Sequence, residues 1–300
     1  MRFGAIIASV GPLALAPGVR EMARTAEAAG ADSVWVSDHL MMFDRGITDY
    51  PYEEGGSPSW PRYADYFECL TVCSVMAAVT ERIRITTGAL VLPQRNVIEV
   101  AKVAASLDRL SGGRLTLGLG AGWYEDEMAA LGWDYRTRGK RFDDMLQILR
   151  RCWSGRPEAF RGQVLDLPPE LVLLPTPTRP EGPPLLVGGN SAPARRRAAR
   201  YGDGWLSLAF ADQLDVDELK RWHDHVRDLR QELHGEDSPF QTALKFHLAT
   251  VGWDELPDMM VELAKIGFDE IAFEPRWSED LDDAIASIHQ VRSAVEGVAA

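Results

Sequence analysis

Asp38-His39 is the adjacent pair in this chain best suited to moving a proton. An imidazole gains and loses a proton near neutral pH, and a neighbouring carboxylate can orient it or hold its charge. In isolation such a pair equally describes a capping aspartate beside a packed histidine. Here it follows the short apolar run Ser33-Val34-Trp35-Val36-Ser37 and opens a long aromatic segment, which favours the chemical reading. Two glycine-rich turns could accompany it. Gly188-Gly189-Asn190-Ser191 leads into a helical pattern, where backbone amides at a helix start can hold a phosphate, although Asn190 or Ser191 would serve as well as a plain cap. Gly120-Ala121-Gly122 precedes Trp123, which can stack on a bound ring or simply pack. Gln94-Arg95-Asn96 adds a cation that could meet an anionic tail or stay solvated, and Asn96 joins the cofactor-binding candidates.

Those residues need a scaffold that brings distant turns to one place. Short apolar runs alternate with helical patterns along the chain. Phe3 to Ala8 reads as a first strand, and Val19, Met22, Ala23 and Ala26 follow helical spacing between Pro17 and Gly30. Ser33–Ser37, Ile83–Leu92 and Leu115–Leu119 read as the second to fourth strands, with helices over Leu70–Val79 and around Val97–Ala104. A helix around Phe142–Leu149 precedes a Pro-rich insertion at 154–184 that contains a hairpin around Ala159–Leu167. Leu185–Val187, Gly204–Leu208, Leu244–Val251 and Glu270–Phe273 complete the strands, separated by helices over Ser191–Tyr201, Gln213–His234 and Pro257–Ile266 and followed by one from Leu281 to Val291. Strand-then-helix units in this number predict an α/β fold, a (β/α)₈ TIM barrel with insertions near 40–67 and 154–184, over 1–300 as one domain. An open doubly wound sheet is the weaker alternative, since no GxGxxG turn follows the first strand. In such a barrel chemistry sits at the strand C-termini, where Asp38-His39, Gly120-Ala121-Gly122 and Gly188-Gly189-Asn190 all fall. The segment from Asp38 to Phe67, with Phe43, Tyr50, Tyr52, Trp60, Tyr63, Tyr66 and Phe67, could be a lid over an apolar substrate or a small core that stiffens the loop.

Composition narrows the partners. The 300 residues are 46% hydrophobic and carry 32 Lys+Arg against 45 Asp+Glu, a formal net charge of −13. That balance argues against nucleic-acid or anionic-membrane binding and leaves a small molecule as the expected partner. Cys69, Cys73 and Cys152 are too few and too scattered for a disulfide framework, and no signal peptide or long apolar span is read, so a cytoplasmic location is expected. His223-Asp224-His225 resembles a metal pair but sits in a polar helical stretch, where a solvated face is expected and no metal is assigned. Neither GxSxG nor HExxH occurs, so serine or zinc hydrolysis has no support.

Four stretches together resemble the luciferase-like oxidoreductases. They are Ala29-Gly30-Ala31-Asp32 through Asp38-His39, and Ala78-Val79-Thr80-Glu81-Arg82-Ile83-Arg84-Ile85-Thr86-Thr87-Gly88. The third is Leu107-Asp108-Arg109-Leu110-Ser111-Gly112-Gly113-Arg114-Leu115 through Gly120-Ala121-Gly122-Trp123. The fourth is Val187-Gly188-Gly189-Asn190 with Ala199-Arg200-Tyr201-Gly202-Asp203-Gly204-Trp205. The resemblance runs in order over most of residues 1–210 and persists in pattern alone beyond them. It implies a barrel, usually dimeric, that binds a flavin or deazaflavin at the strand C-termini, here coenzyme F420 in preference to FMN. It also implies a non-proline cis peptide at Gly88–Ala89 behind the ring, His39 near the hydride-transfer carbon with Asp38 beside it, and a phosphate turn at Gly188, Gly189 and Asn190. F420-dependent sugar-phosphate dehydrogenases place a carboxylate near the turn after strand 4, where this chain has Trp123, and a tryptophan after the histidine, where it has Leu40-Met41-Met42-Phe43; that particular activity is not implied. The expected function is hydride transfer between F420 and a small organic substrate. The alternatives are an FMN-dependent monooxygenase fed by a separate reductase, and a deazaflavin or flavin carrier without catalysis.

Overall fold

The structure, a computed structural model, describes residues 1–44, 48–51, 56 and 63–297. Tyr52, Trp60 and Pro61 of the aromatic segment lie outside them. The alternating pattern closes on itself. Strands β1 (Arg2–Ile6), β2 (Ser33–Val36), β3 (Arg84–Val91), β4 (Leu115–Gly120), β5 (Leu185–Gly188), β6 (Gly204–Phe210), β7 (Gln241–His247) and β8 (Glu270–Phe273) form a closed barrel. Each pairs in parallel with its sequence neighbours, and β1 joins β8, with Phe3 opposite Ile271. Helices α1 (Val19–Ala28), α2 (Cys69–Val79), α3 (Val97–Leu110), α4 (Glu125–Ala130), α5 (Arg138–Cys152), α6 (Ala192–Tyr201), α7 (Val216–His234), α8 (Leu256–Ala264) and α9 (Asp282–Glu296) follow the strands. The helices bury their expected stripes: α1 does so with Val19, Met22, Ala23 and Ala26. The three cysteines are buried thiols. In the 154–184 insertion Phe160–Arg161 pairs antiparallel with Asp166–Leu167.

A second, smaller core fills the barrel itself: Ile6, Trp35, Leu186, Leu206, Ala243 and Ala272, with Ala89 against it. Trp35 is its bulk and is fully buried. Its indole nitrogen donates to Ser33 Oγ at 2.7 Å and to Glu270 Oε1 at 3.2 Å. The ring occupies the volume that neighbouring side chains would need. A Cβ on Gly88 would stand 2.5 Å from its Cε3, and one on Gly4 2.3 Å from its Nε1. Trp35 thus forms a solid floor, and strand alternation decides what stands above it. Continuing from the buried inward residues, the next inward positions are Ala8, Ser37, Gly120, Gly188, Leu208, Lys245 and Glu274, with His39, Phe210 and His247 above. In the lower of these layers Ala8, Ser37, Gly120 and Gly188 are small or lack a side chain, whereas Leu208, Lys245 and Glu274, at β6, β7 and β8, are the larger and ionisable ones.

Two sequence readings change. The seventh strand spans Gln241–His247 instead of Leu244–Val251, because its pairing with β6 runs from Gln241 opposite Gly204 to His247 opposite Phe210. Its inward residues toward the mouth are therefore Lys245, which is buried, and His247. His223 is not on a solvated face. It is buried at the α7 spacing of Leu219 and Val226, Nε2 lies 3.3 Å from Thr242 Oγ1, and burial lowers its pKa.

Candidate active site

His39 is placed by β2, whose alternation turns it inward, and is held by a carboxylate that comes from another element. Its Nδ1 lies 2.9 Å from Glu127 Oε2 in a buried contact, with Glu127 1% exposed. Glu127 belongs to α4, which begins just after the Gly120-Ala121-Gly122 turn. The other oxygen, Oε1, accepts the amides of Leu40 at 2.5 Å and Met41 at 3.2 Å. One carboxylate therefore orients the imidazole and fixes the start of the aromatic loop. Its neighbours extend this seam: the Phe43 amide donates to the Tyr124 hydroxyl at 3.0 Å, and the Thr48 amide and hydroxyl donate to Asp126 Oδ2 at 2.9 and 2.8 Å. Tyr66, Trp123 and Tyr124 surround the His39 ring edge to face, at 5.7, 5.5 and 6.2 Å.

Asp38, expected to tune His39, points to the other side of the strand. It is the buried anchor of β2. Oδ2 accepts the Val91 amide at 2.9 Å, and Oδ1 meets Arg95 Nη2 at 2.6 Å. Arg95 also reaches Glu68 Oε1 at 2.9 Å, and Glu68 caps α2. Arg95 is thus not a solvated rim residue; it ties together the two ends of the long loop. Burial depresses its guanidinium, but the attraction of Asp38 and Glu68 outweighs it and the pKa is raised. Burial raises the Asp38 carboxyl against the pull of Arg95. Asn96 serves the local backbone. It is exposed, and its Oδ1 accepts the amides of Ile98 at 3.0 Å and Glu99 at 3.2 Å, so it is the N-cap of α3.

The glycine turns divide in the same way. The peptide Gly88–Ala89 is cis, as the resemblance implies. Ala89, Gly120 and Gly188 meet at one shelf beside it: a Cβ on Gly120 would lie 3.3 Å from the Ala89 Cβ, and one on Gly188 would lie 3.1 Å from the Leu119 oxygen and 3.8 Å from Ala89. Gly189 adopts φ 118° and its amide donates to Leu206 O at 3.0 Å. The Asn190 side chain is spent on β6, with Nδ2 donating to Leu208 O at 2.7 Å and Oδ1 accepting Ser207 Oγ at 2.9 Å. Ser191 caps α6 through Ala194 N. Gly122, at φ 83°, lets the chain pass Met128 and Val91. Trp123 packs; it stacks on Tyr124 at 4.6 Å and meets Tyr50 edge-on at 4.9 Å.

Glu127 and His247 are residues of the mouth that the sequence does not single out, whereas Glu274 falls at the rim after the eighth strand as its position in the sequence predicts. Glu127 supplies the carboxylate after strand 4 whose absence was inferred from Trp123; the acidic start of α4, Glu125-Asp126-Glu127, was its only signal. On the opposite side, His247 Nδ1 lies 3.1 Å from Glu274 Oε1. Burial raises the Glu274 carboxyl, but His247 and Lys245 outweigh it and hold the pKa below the ordinary value.

The chain matches a family model described as luciferase-like monooxygenase over residues 1–255. It is 36% identical to an uncharacterised protein of Mycobacterium tuberculosis over 220 residues, 73% of each chain. It is 34% identical over 190 residues to the F420-dependent hydroxymycolic acid dehydrogenase of the same organism, 62% of this chain and 48% of that one. Among solved structures, an F420-dependent secondary alcohol dehydrogenase in complex with an F420-acetone adduct superposes with a TM-score of 0.79 at 18% identity, covering 98% of both chains. At that identity the likeness is one of fold.

Proposed function

The chain belongs to the luciferase-like monooxygenase family, and we propose that it is an F420-dependent oxidoreductase acting on a small organic substrate, as a homodimer. The observation that carries this reading is the buried His39–Glu127 pair at the barrel mouth, beside a shelf of Ala89, Gly120 and Gly188 that any larger side chain would fill. The shelf fits a flat ring, and the relatives named F420-dependent favour the deazaflavin. Bound F420 would supply the carbon that gives or takes the hydride. Ala89, Gly120 and Gly188 would hold its ring, and the start of α6 beyond Gly189 would hold its phosphate with backbone amides and the helix dipole. Glu127 holds His39 by Nδ1 and would stabilise the imidazolium formed when His39 exchanges a proton with the substrate. Tyr66, Trp123 and Tyr124 keep water from the ring flanks.

A side-by-side fluorescence titration with F420 and FMN tests this reading. Wild type is expected to bind F420 at least tenfold more tightly than FMN, and Gly120→Val to lose about tenfold or more of that affinity by filling the shelf. Preference for FMN, with oxygen consumed in the presence of reduced FMN, would assign the chain to reductase-fed monooxygenation. Tight F420 binding without redox change across a broad panel of alcohols and aldehydes would make it a carrier.

A further inference from the structure

Lys245 is a buried cation that none of these roles uses. It stands on the inward face of β7, 7% exposed, and its side chain crosses the barrel past β8 and β1 to donate from Nζ to Ser37 Oγ at 2.6 Å. Its Cδ lies 3.7 Å from where a Cβ on Gly88 would stand, so its stem runs against the Gly88–Ala89 backbone beside Trp35. Ser37 is two residues before His39 on the same inward face, which sets the ammonium one layer below the imidazole. Among the described residues no carboxylate forms an ion pair with Nζ; the acid that acts on it, Glu274, is engaged by His247. An ammonium held in an apolar barrel by one hydroxyl is costly, and a methionine of similar length would pack there without that cost.

We propose that Lys245 is a cation reserved for a negatively charged oxygen on the edge of the redox ring that occupies the mouth. The assignment rests on the mouth being the redox site. The ammonium favours the anionic form of the ring and strengthens its binding, because in a low-dielectric site a fixed charge acts with little screening. His39 and Lys245 then divide the work: one exchanges a proton, the other holds charge. The titratable groups facing Lys245 are Glu274 from β8, His247 on its own strand, Cys69 from α2 and His39 above Ser37; Glu274 and Cys69 pull its pKa up, burial pulls it down further, and it settles at about 8 against the ordinary 10.5.

Two measurements on the full chain and its Lys245→Met variant test this. Without cofactor, the penalty of the buried ammonium is full below pH 8, fades between about 8 and 10.5, and is gone above. The variant is therefore expected to melt higher than wild type at pH 7, with the gap closing toward pH 10.5; a lower melting temperature at pH 7 would make Lys245 a structural residue and overturn the proposal. With F420 at pH 7, the variant is expected to bind about tenfold more weakly. The pH at which bound F420 changes its visible absorption, which reports ionisation of the ring, is expected to rise by about one unit. Unchanged affinity with an unchanged absorption transition would overturn it. If wild type binds FMN and not F420, the cofactor reading fails and the same comparison with FMN decides Lys245; if it binds neither, no redox ring occupies the mouth and the proposal is overturned with that reading.

Discussion

His39→Ala is expected to lower F420-dependent turnover by roughly 10²–10⁴-fold, the range for loss of a positioned proton carrier, while the dissociation constant of F420 stays within about threefold of wild type. The split follows from geometry. His39 touches Glu127, Tyr66, Trp123 and Tyr124, whereas the shelf proposed for the ring is made of Ala89, Gly120 and Gly188. Glu127→Gln should reproduce most of the loss, on the order of 10²–10⁴-fold, because a carboxamide can turn its NH₂ toward Nδ1 and hold the wrong tautomer. The two substitutions act on one unit, so the double variant should be little slower than His39→Ala alone. Stopped-flow reduction of F420 by a panel of small secondary alcohols, read beside equilibrium binding, checks both. Full turnover in His39→Ala would remove the imidazole from the reaction, and multiplicative losses in the double variant would separate Glu127 from it.

Arg95→Met is expected to destabilise the fold by about 3–5 kcal/mol, measured by chemical denaturation, because it leaves the fully buried Asp38 carboxylate without its counter-ion. The sign of its pH dependence follows. An isolated buried carboxyl has its pKa raised above the unfolded value, so the penalty is present above that raised pKa and is relieved as pH falls through it. The deficit of Arg95→Met should therefore shrink under mildly acidic conditions, and adding Asp38→Asn should recover much of it at neutral pH. Because Arg95 also holds Glu68 at the far end of the long loop, turnover should fall with stability. A loss under about 1 kcal/mol would show that the Val91 amide suffices to anchor Asp38.

The barrel could be read from the chain because each element signals locally. Apolar runs of strand length alternate with stripes such as Val19, Met22, Ala23 and Ala26, and parallel strands buried on both faces need no finer pattern. His39 was legible because a strand end in a barrel is a place with a known meaning. Its partner was not: Glu127 lies 88 residues away, in the first turn of a helix where acids are common for reasons of the dipole alone. Adjacency made Asp38 the obvious carboxylate, yet neighbours on an extended chain point to opposite faces, and that rule argues against the pairing. Lys245 and His247 were hidden by a strand placed over Leu244–Val251, which buried them in its middle. Asn96 carried the ordinary signature of a helix cap, and it is one.

The most direct test is a crystal of this protein soaked with F420. The ring is expected on the Ala89, Gly120 and Gly188 shelf, with the His39 imidazole on its reacting side and Glu127 still bonded to Nδ1. A mouth closed by protein atoms, or a ring seated away from His39, would contradict it.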